Sequence, residues 1–137
     1  MRFPDPLKKG LILYGDQTHA PASPERLSEY GAAYESEGRA TDALEFFWRA
    51  GFTEGIERIA RGAVDEGDFF LYRQAMIYLG RDMAKGELSA LGKNAEGRGK
   101  LAFAVAAAQQ AGDDRRAAAL AARMGNGNGD ADGKEKP

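Results

Sequence analysis

The chain has 137 residues, no cysteine, one histidine (His19) and a formal net charge of −2. This length fits one domain, and the lack of cysteine removes disulfides, thiolate catalysis, thiolate zinc sites and iron–sulfur clusters together. A slightly acidic balance argues against general nucleic-acid binding, which needs a basic surface to displace counterions from phosphates.

The N-terminal segment carries only a short apolar run at 11–14, too short for the core of a signal peptide. No stretch approaches the roughly 20 apolar residues that span a bilayer. The expectation is a soluble, cytoplasmic protein with no membrane partner.

Leu7, Leu11 and Tyr14 fall at helical spacing between Pro6 and Gly15, which fits a short helix or an extended packing arm within an N-terminal segment, 1–22. Ser23-Pro24-Glu25-Arg26 reads as a helix start, with Ser23 able to cap free amides and Pro24 at the first helical position. Leu27, Tyr30, Gly31 and Tyr34 then recur at three to four residues, so one stripe of that helix is buried. A second helix covers about 40–50, and a third begins near Thr53 and runs through Ile56, Ile59, Ala60 and Ala63. A fourth is capped by Asp68 and carries Phe69, Tyr72, Met76 and Leu79. A weaker fifth, capped by Asp82, passes through Met83, Leu88 and Leu91, and NAEGRG (94–99) reads as a break. A sixth helix spans 100–111 and a seventh 113–124; the Gly- and Asp-rich segment 125–137 is expected to be a disordered tail. No window shows strand alternation, so the class is all-α.

Three of these helices sit in one frame. GRATDALEFFWRAG (38–51), GDFFLYRQAMIYLG (67–80) and GDDRRAAALAARMG (112–125) each place glycines thirteen positions apart. This frame predicts that Gly38, Gly67 and Gly112 lie at the turn inside successive helical hairpins, and that Gly51, Gly80 and Gly125 end the second helices. Gly38 and Gly67 are 29 positions apart and Gly67 and Gly112 are 45, the weak fifth helix filling the excess. Repeats of this size predict a stacked array in which each hairpin buries its apolar face on its neighbour.

Residues 27–50 resemble a tetratricopeptide repeat. Leu27, Tyr30-Gly31, Tyr34, Gly38, Ala43, Phe47 and Ala50 fall in that family's register. Two looser copies follow: Ile56, Ile59-Ala60, Ala63, Gly67, Tyr72, Met76 and Leu79, then Ala104-Val105, Ala108, Gly112, Ala117, Ala121 and Met124. Gly55 stands where the family usually carries a proline. The small Gly31 and Ala43 would let two helices approach closely, with Tyr34 and Phe47 filling the space beside them. The expected architecture is a short right-handed α-solenoid of two to three antiparallel helical hairpins over 23–124, with about seven helices.

Proteins of that family bind ligands along the concave face made by their first helices. The resemblance puts Ser28, Ala32, Glu35, Glu57, Arg61 and Val64 on that face. It implies a non-catalytic interaction module, an adaptor, scaffold or chaperone-like protein, that takes a peptide or helix. The lysines and asparagines with which some members grip a C-terminal carboxylate are missing at these positions. An alternative is a small-ligand-binding regulatory domain with an apolar pocket between Tyr30, Tyr34, Trp48 and Tyr72.

The remaining motifs favour plain readings. His19, in a polar loop, reads as solvated rather than catalytic. Asn128, Asp130, Asp132 and Gly133 match the opening of a calcium loop, but the sequence has no glutamate at its twelfth position. EGRGKLAF lacks the first glycine and the Ser/Thr of a phosphate loop; a helix start at Gly99 and Lys100 would hold an anion only weakly. Neither a catalytic residue, a metal nor a cofactor is therefore expected. Phe46 and Trp48 flank the core residue Phe47 on different faces, so at least one is expected at a seam between hairpins or on a binding surface. The hairpin at 101–124 holds eleven alanines and few large apolar groups. Such a hairpin either packs very closely or leans on a partner, a second copy of the chain included.

Overall fold

The structure, a computed structural model, describes residues 2–135, and for 126–135 the backbone alone. Among the described residues all regular structure is helical: α1 (Pro6–Tyr14), α2 (Pro24–Ser36), α3 (Ala40–Ala50), α4 (Thr53–Glu66), α5 (Phe69–Leu79), α6 (Lys85–Gly97), α7 (Leu101–Gln110) and α8 (Asp114–Glu135). Helix α1 resolves the choice between helix and arm. Asp5 caps it by accepting from Lys8 N at 3.0 Å, and Pro6 opens it. Ser23 and Asp68 cap α2 and α5 as their sequences predict, accepting from Arg26 N (3.2 Å) and Leu71 N (3.1 Å).

Helices α2 and α3, α4 and α5, and α6 and α7 pair as hairpins, and α8 packs on α7. Helix α4 also contacts α6, and α5 contacts both α3 and α7, so the hairpins stack in chain order. The fold is an all-α hairpin solenoid.

The α7–α8 pair turns at the left-handed Gly112 as the glycine frame predicts, but a third hairpin that the frame does not predict precedes it. Its turn is Gly99, and its first helix is α6. Leu88, Leu91-Gly92, Ala95 and Gly99, then Ala104, Ala108 and Ala111, stand 32 positions beyond their counterparts in the second repeat. The buried side of α6 is Leu88, Leu91, Gly92 and Ala95. The expected break at NAEGRG is therefore helix and turn. Its polar groups serve the end of α4: Asn94 Nδ2 donates to Val64 O at 2.8 Å, Arg98 Nη2 to Asp65 O at 3.4 Å, and Lys100 Nζ to Glu66 O at 2.9 Å. Val64 O otherwise accepts only from the cap amide Gly67 N (3.2 Å), carbonyls in the last turn of a helix lack the usual intrahelical donor, and cations suit its negative end.

Three boundaries also differ. Helix α6 starts after Ala84 rather than Asp82, and α4 after Phe52, with Thr53 its first helical residue. Helix α8 passes through Gly125, where a stop and the start of the 125–137 tail are expected, because Gly125 does not take up the left-handed backbone that ends a helix. The calcium-loop match at Asn128, Asp130, Asp132 and Gly133 lies outside the described side chains. No helix among the described residues is long and apolar enough to cross a membrane.

The buried residues form two clusters. The larger runs from Leu13 through the aromatic hairpin to Leu91 and takes in Ala107; the smaller is Ala95, Ala104, Ala108, Ala117 and Leu120.

Candidate functional surface

Packing is very close at Phe47. Its ring lies between two bare backbones, Gly31 on α2 and Gly55 on α4. Gly55, the departure from the family pattern, thus makes room for the ring. Phe46 is also fully buried, stacked on Tyr30 (5.4 Å between centroids) and Tyr34 (5.1 Å). It is neither a seam nor a surface residue, because α1 and Phe3 cover that side of the first hairpin; Phe3 stacks on Tyr34 at 4.3 Å. Trp48 is the seam residue: it stacks on Tyr78 of α5 at 5.3 Å and remains 43% exposed.

Helix α1 is fastened by polar contacts. Lys9 Nζ reaches Asp42 (2.6 Å) and Glu45 (3.3 Å), and Tyr14 donates to Glu45 at 2.6 Å. Burial alone would push the Asp42 carboxyl up, but Lys9 and Arg39 more than offset it and hold the group below the usual carboxylate range.

The four residues proposed to line an apolar pocket do not line one space. Tyr30 and Tyr34 stack with Phe46, and Trp48 stacks with Tyr78. Tyr72, fully buried, donates to Glu87 at 2.7 Å. Burial and then that hydrogen bond push the Tyr72 hydroxyl well above the ordinary tyrosine range.

The six residues assigned to the first-helix face divide around α4. Glu35 lines an open groove of about 560 Å³ between the first two hairpins, with Thr41, Arg58, Gly62, Glu66 and Leu71. Glu57 and Arg61 line a second groove of about 250 Å³, with Met76, Asp82 and Glu87. Ala32 and Arg61 are exposed, whereas Ser28, Glu35, Glu57 and Val64 are half-buried. Ser28, Ala32 and Val64 line neither groove.

Each groove is edged by an ion pair. Arg58 donates to both oxygens of Glu35, from Nε at 2.9 Å and Nη2 at 2.7 Å, a two-pronged geometry suited to guanidinium and carboxylate. The hydrogen bond to Glu35, against the opposing effect of burial, raises the Arg58 pKa above its ordinary value. In the second groove Arg81 pairs with Glu57 at 2.7 Å. Neither arginine falls on the stripe that the repeat register marks, so spacing alone does not reveal them.

The other sequence candidates are spoken for locally. Asp16 accepts from the backbone amides of Thr18 (2.8 Å) and His19 (2.7 Å), and the exposed His19 ring lies 3.1 Å from the same carboxylate. Those contacts, the Thr18 amide first, hold Asp16 below the usual carboxylate range. Lys100 at the start of α7 donates to Glu66 O, which occupies the group that the weak anion site requires.

A second surface lies on the α3, α5 and α7 side. Phe70 is 61% and Ile77 58% exposed on α5, and Phe70 meets Phe103 of α7 edge-to-face at 5.3 Å. Arg49 lies over both Tyr14 (4.9 Å) and Trp48 (5.6 Å). No protein family, curated protein or solved structure matches this chain.

Proposed function

We propose that the chain is a non-catalytic protein–protein interaction module, a tetratricopeptide-like adaptor or scaffold that holds a peptide or helix against its first-helix face. The observation that carries this reading is the pair of open grooves on either side of α4, one holding Glu35 and the other Glu57 and Arg61. Each combines an apolar floor, Ile59 and Leu71 in the first and Met76 and Leu79 in the second, with charged groups at its edge. A few placed polar groups over an apolar floor suit recognition of an extended or helical segment. The reading carries with it a cytoplasmic location and no requirement for a cofactor.

Photo-crosslinking in the native cell tests it. A photoreactive residue replaces Ala32 or Arg61, both exposed on this face, and another replaces the exposed Ala102 as a control. The expected result is one discrete protein adduct from the first two positions that is lost on Arg58→Glu. Adducts at neither position, or a turnover activity that needs no second protein, would remove the proposal.

A further inference from the structure

The α3, α5 and α7 side carries a band of exposed aromatic and aliphatic side chains. It runs from Tyr14 through Arg49 to Trp48, across the Trp48–Tyr78 stack to Ile77, and along α5 to Phe70 and Phe103. Tyr14, Trp48, Phe70 and Ile77 are 49%, 43%, 61% and 58% exposed. Together they leave on the order of 400 Å² of mostly apolar surface in water, within the range at which a patch is commonly functional.

Charge is segregated around this band. The chain has 21 acidic residues, yet α5 and α7 contain none. On α3 the two carboxylates, Asp42 and Glu45, are both held by Lys9. Arg49 and Arg73 form no ion pair among the described residues, and Arg73 lies between Phe70 and Ile77 on one face of α5. The band is therefore apolar with an uncompensated positive centre on a chain that is negative overall.

We infer that this band docks an acidic amphipathic segment of another protein, one with two apolar anchors about two helical turns apart and a carboxylate between them. The spacing follows from Phe70 and Ile77, seven residues apart and so roughly 10 Å along α5. The carboxylate answers Arg73, and a second would meet Arg49. Two arguments go against a second copy of this chain. Facing bands would bring arginines together, and the exposed area is roughly half of the about 800 Å² per partner that a stable interface needs. Two arginines without a carboxylate partner are also too few for an anionic membrane, which calls for clusters of about four to eight basic residues.

A display library of random 16-residue peptides, selected against the full chain and counter-selected against Ile77→Ser, tests the inference. Selected peptides are resynthesised and titrated by the fluorescence of Trp48, the chain's only tryptophan. Expected are peptides with apolar residues about two turns apart and Asp or Glu between them, weakened about tenfold by Phe70→Ser or Arg73→Glu. Lysine in place of the acidic residue should restore binding to Arg73→Glu, and Arg58→Glu in the first-helix groove should change nothing. Phe70, Ile77 and Arg73 are exposed, and circular dichroism confirms that each variant folds. Recovery of no such peptide, of basic ones, or of peptides indifferent to Phe70→Ser and Arg73→Glu would overturn the inference. So would concentration-dependent dimerisation abolished by Phe70→Ser, or binding to phosphatidylglycerol vesicles or polyuridylate abolished by Arg73→Glu.

Discussion

The ring of Phe47 lies so close to Gly31 that a β-carbon at Gly31 would come within 2.5 Å of Phe47 Cε1. The ring has little room to retreat, because its other edge lies against the bare backbone of Gly55, where a β-carbon would stand only 2.8 Å away. Gly92 holds the same register position in the third hairpin, but a β-carbon there meets only Ala107 Cβ, at an ordinary 3.7 Å. Equivalent substitutions should therefore have opposite signs. Gly31→Ala is expected to destabilise by about 1–3 kcal/mol through overpacking. Gly92→Ala should stabilise by up to about 1 kcal/mol, since glycine inside a helix is the weaker former. Urea midpoints of the two variants decide it, and equal shifts would refute this difference in packing.

Gly67 and Gly112 separate backbone strain from contact. Both have left-handed φ, +72° and +78°, but a β-carbon on Gly67 would stand 2.4 Å from Ala95 N, and on Gly112 would meet nothing within 4 Å. Gly112→Ala should cost about 1–2 kcal/mol, the left-handed penalty alone. Gly67→Ala adds a backbone collision between α5's entry and α6, and should cost about 3 kcal/mol or more. Thermal melts that rank the two in reverse would contradict this packing.

Tyr72→Phe should lower stability by about 1–2 kcal/mol near neutral pH, the worth of its 2.7 Å hydrogen bond to Glu87. The alkaline limb should change too. Because the Tyr72 pKa is raised in the folded chain, the unfolded chain loses this proton first, and stability falls as pH climbs past about 10. Tyr72→Phe lacks that decline, so the two proteins should converge in stability on the alkaline side.

The clasp between α1 and α3 should show on the acid side. Asp42 is held below the usual carboxylate range, so its contribution is complete above that range and is lost as pH falls through it and below. Lys9→Met removes the main stabilising partner. The variant should be less stable at neutral pH and lose less on acidification, measured by urea titration from pH 7 to 3. An unchanged pH profile would mean that Lys9 does not set the Asp42 titration.

Helix positions were legible wherever apolar spacing and a local cap agreed, as at Ser23 with Leu27, Tyr30 and Tyr34, or at Asp68 with Tyr72 and Met76. The third hairpin was not. Gly92, Gly97 and Gly99 with Asn94, Glu96 and Arg98 carry the composition of a break. What keeps α6 helical lies 28 or more positions away, in the bare edge of Gly67 and the carbonyls of Val64, Asp65 and Glu66. Once those contacts are known, the spacing Leu88, Leu91-Gly92, Ala95 reads as the same stripe. Of the six residues the register assigns to the face, Glu35, Glu57 and Arg61 line the two grooves. The register missed Arg58 and Arg81 because ion pairs between elements follow no helical period. Phe46 misled for a related reason: its side is buried by α1, whose docking no local pattern announces.

Side-chain volume thins out along the array. Phe3, Tyr34, Phe46 and Phe47 crowd the first hairpin, whereas small side chains, Ala104, Ala108 and Ala117 with Leu120, join α7 to α8. Since each hairpin leans only on its neighbours, the molecule has a grain. Force or a protease should peel it from α8 backward, and the aromatic hairpin should be the last to let go.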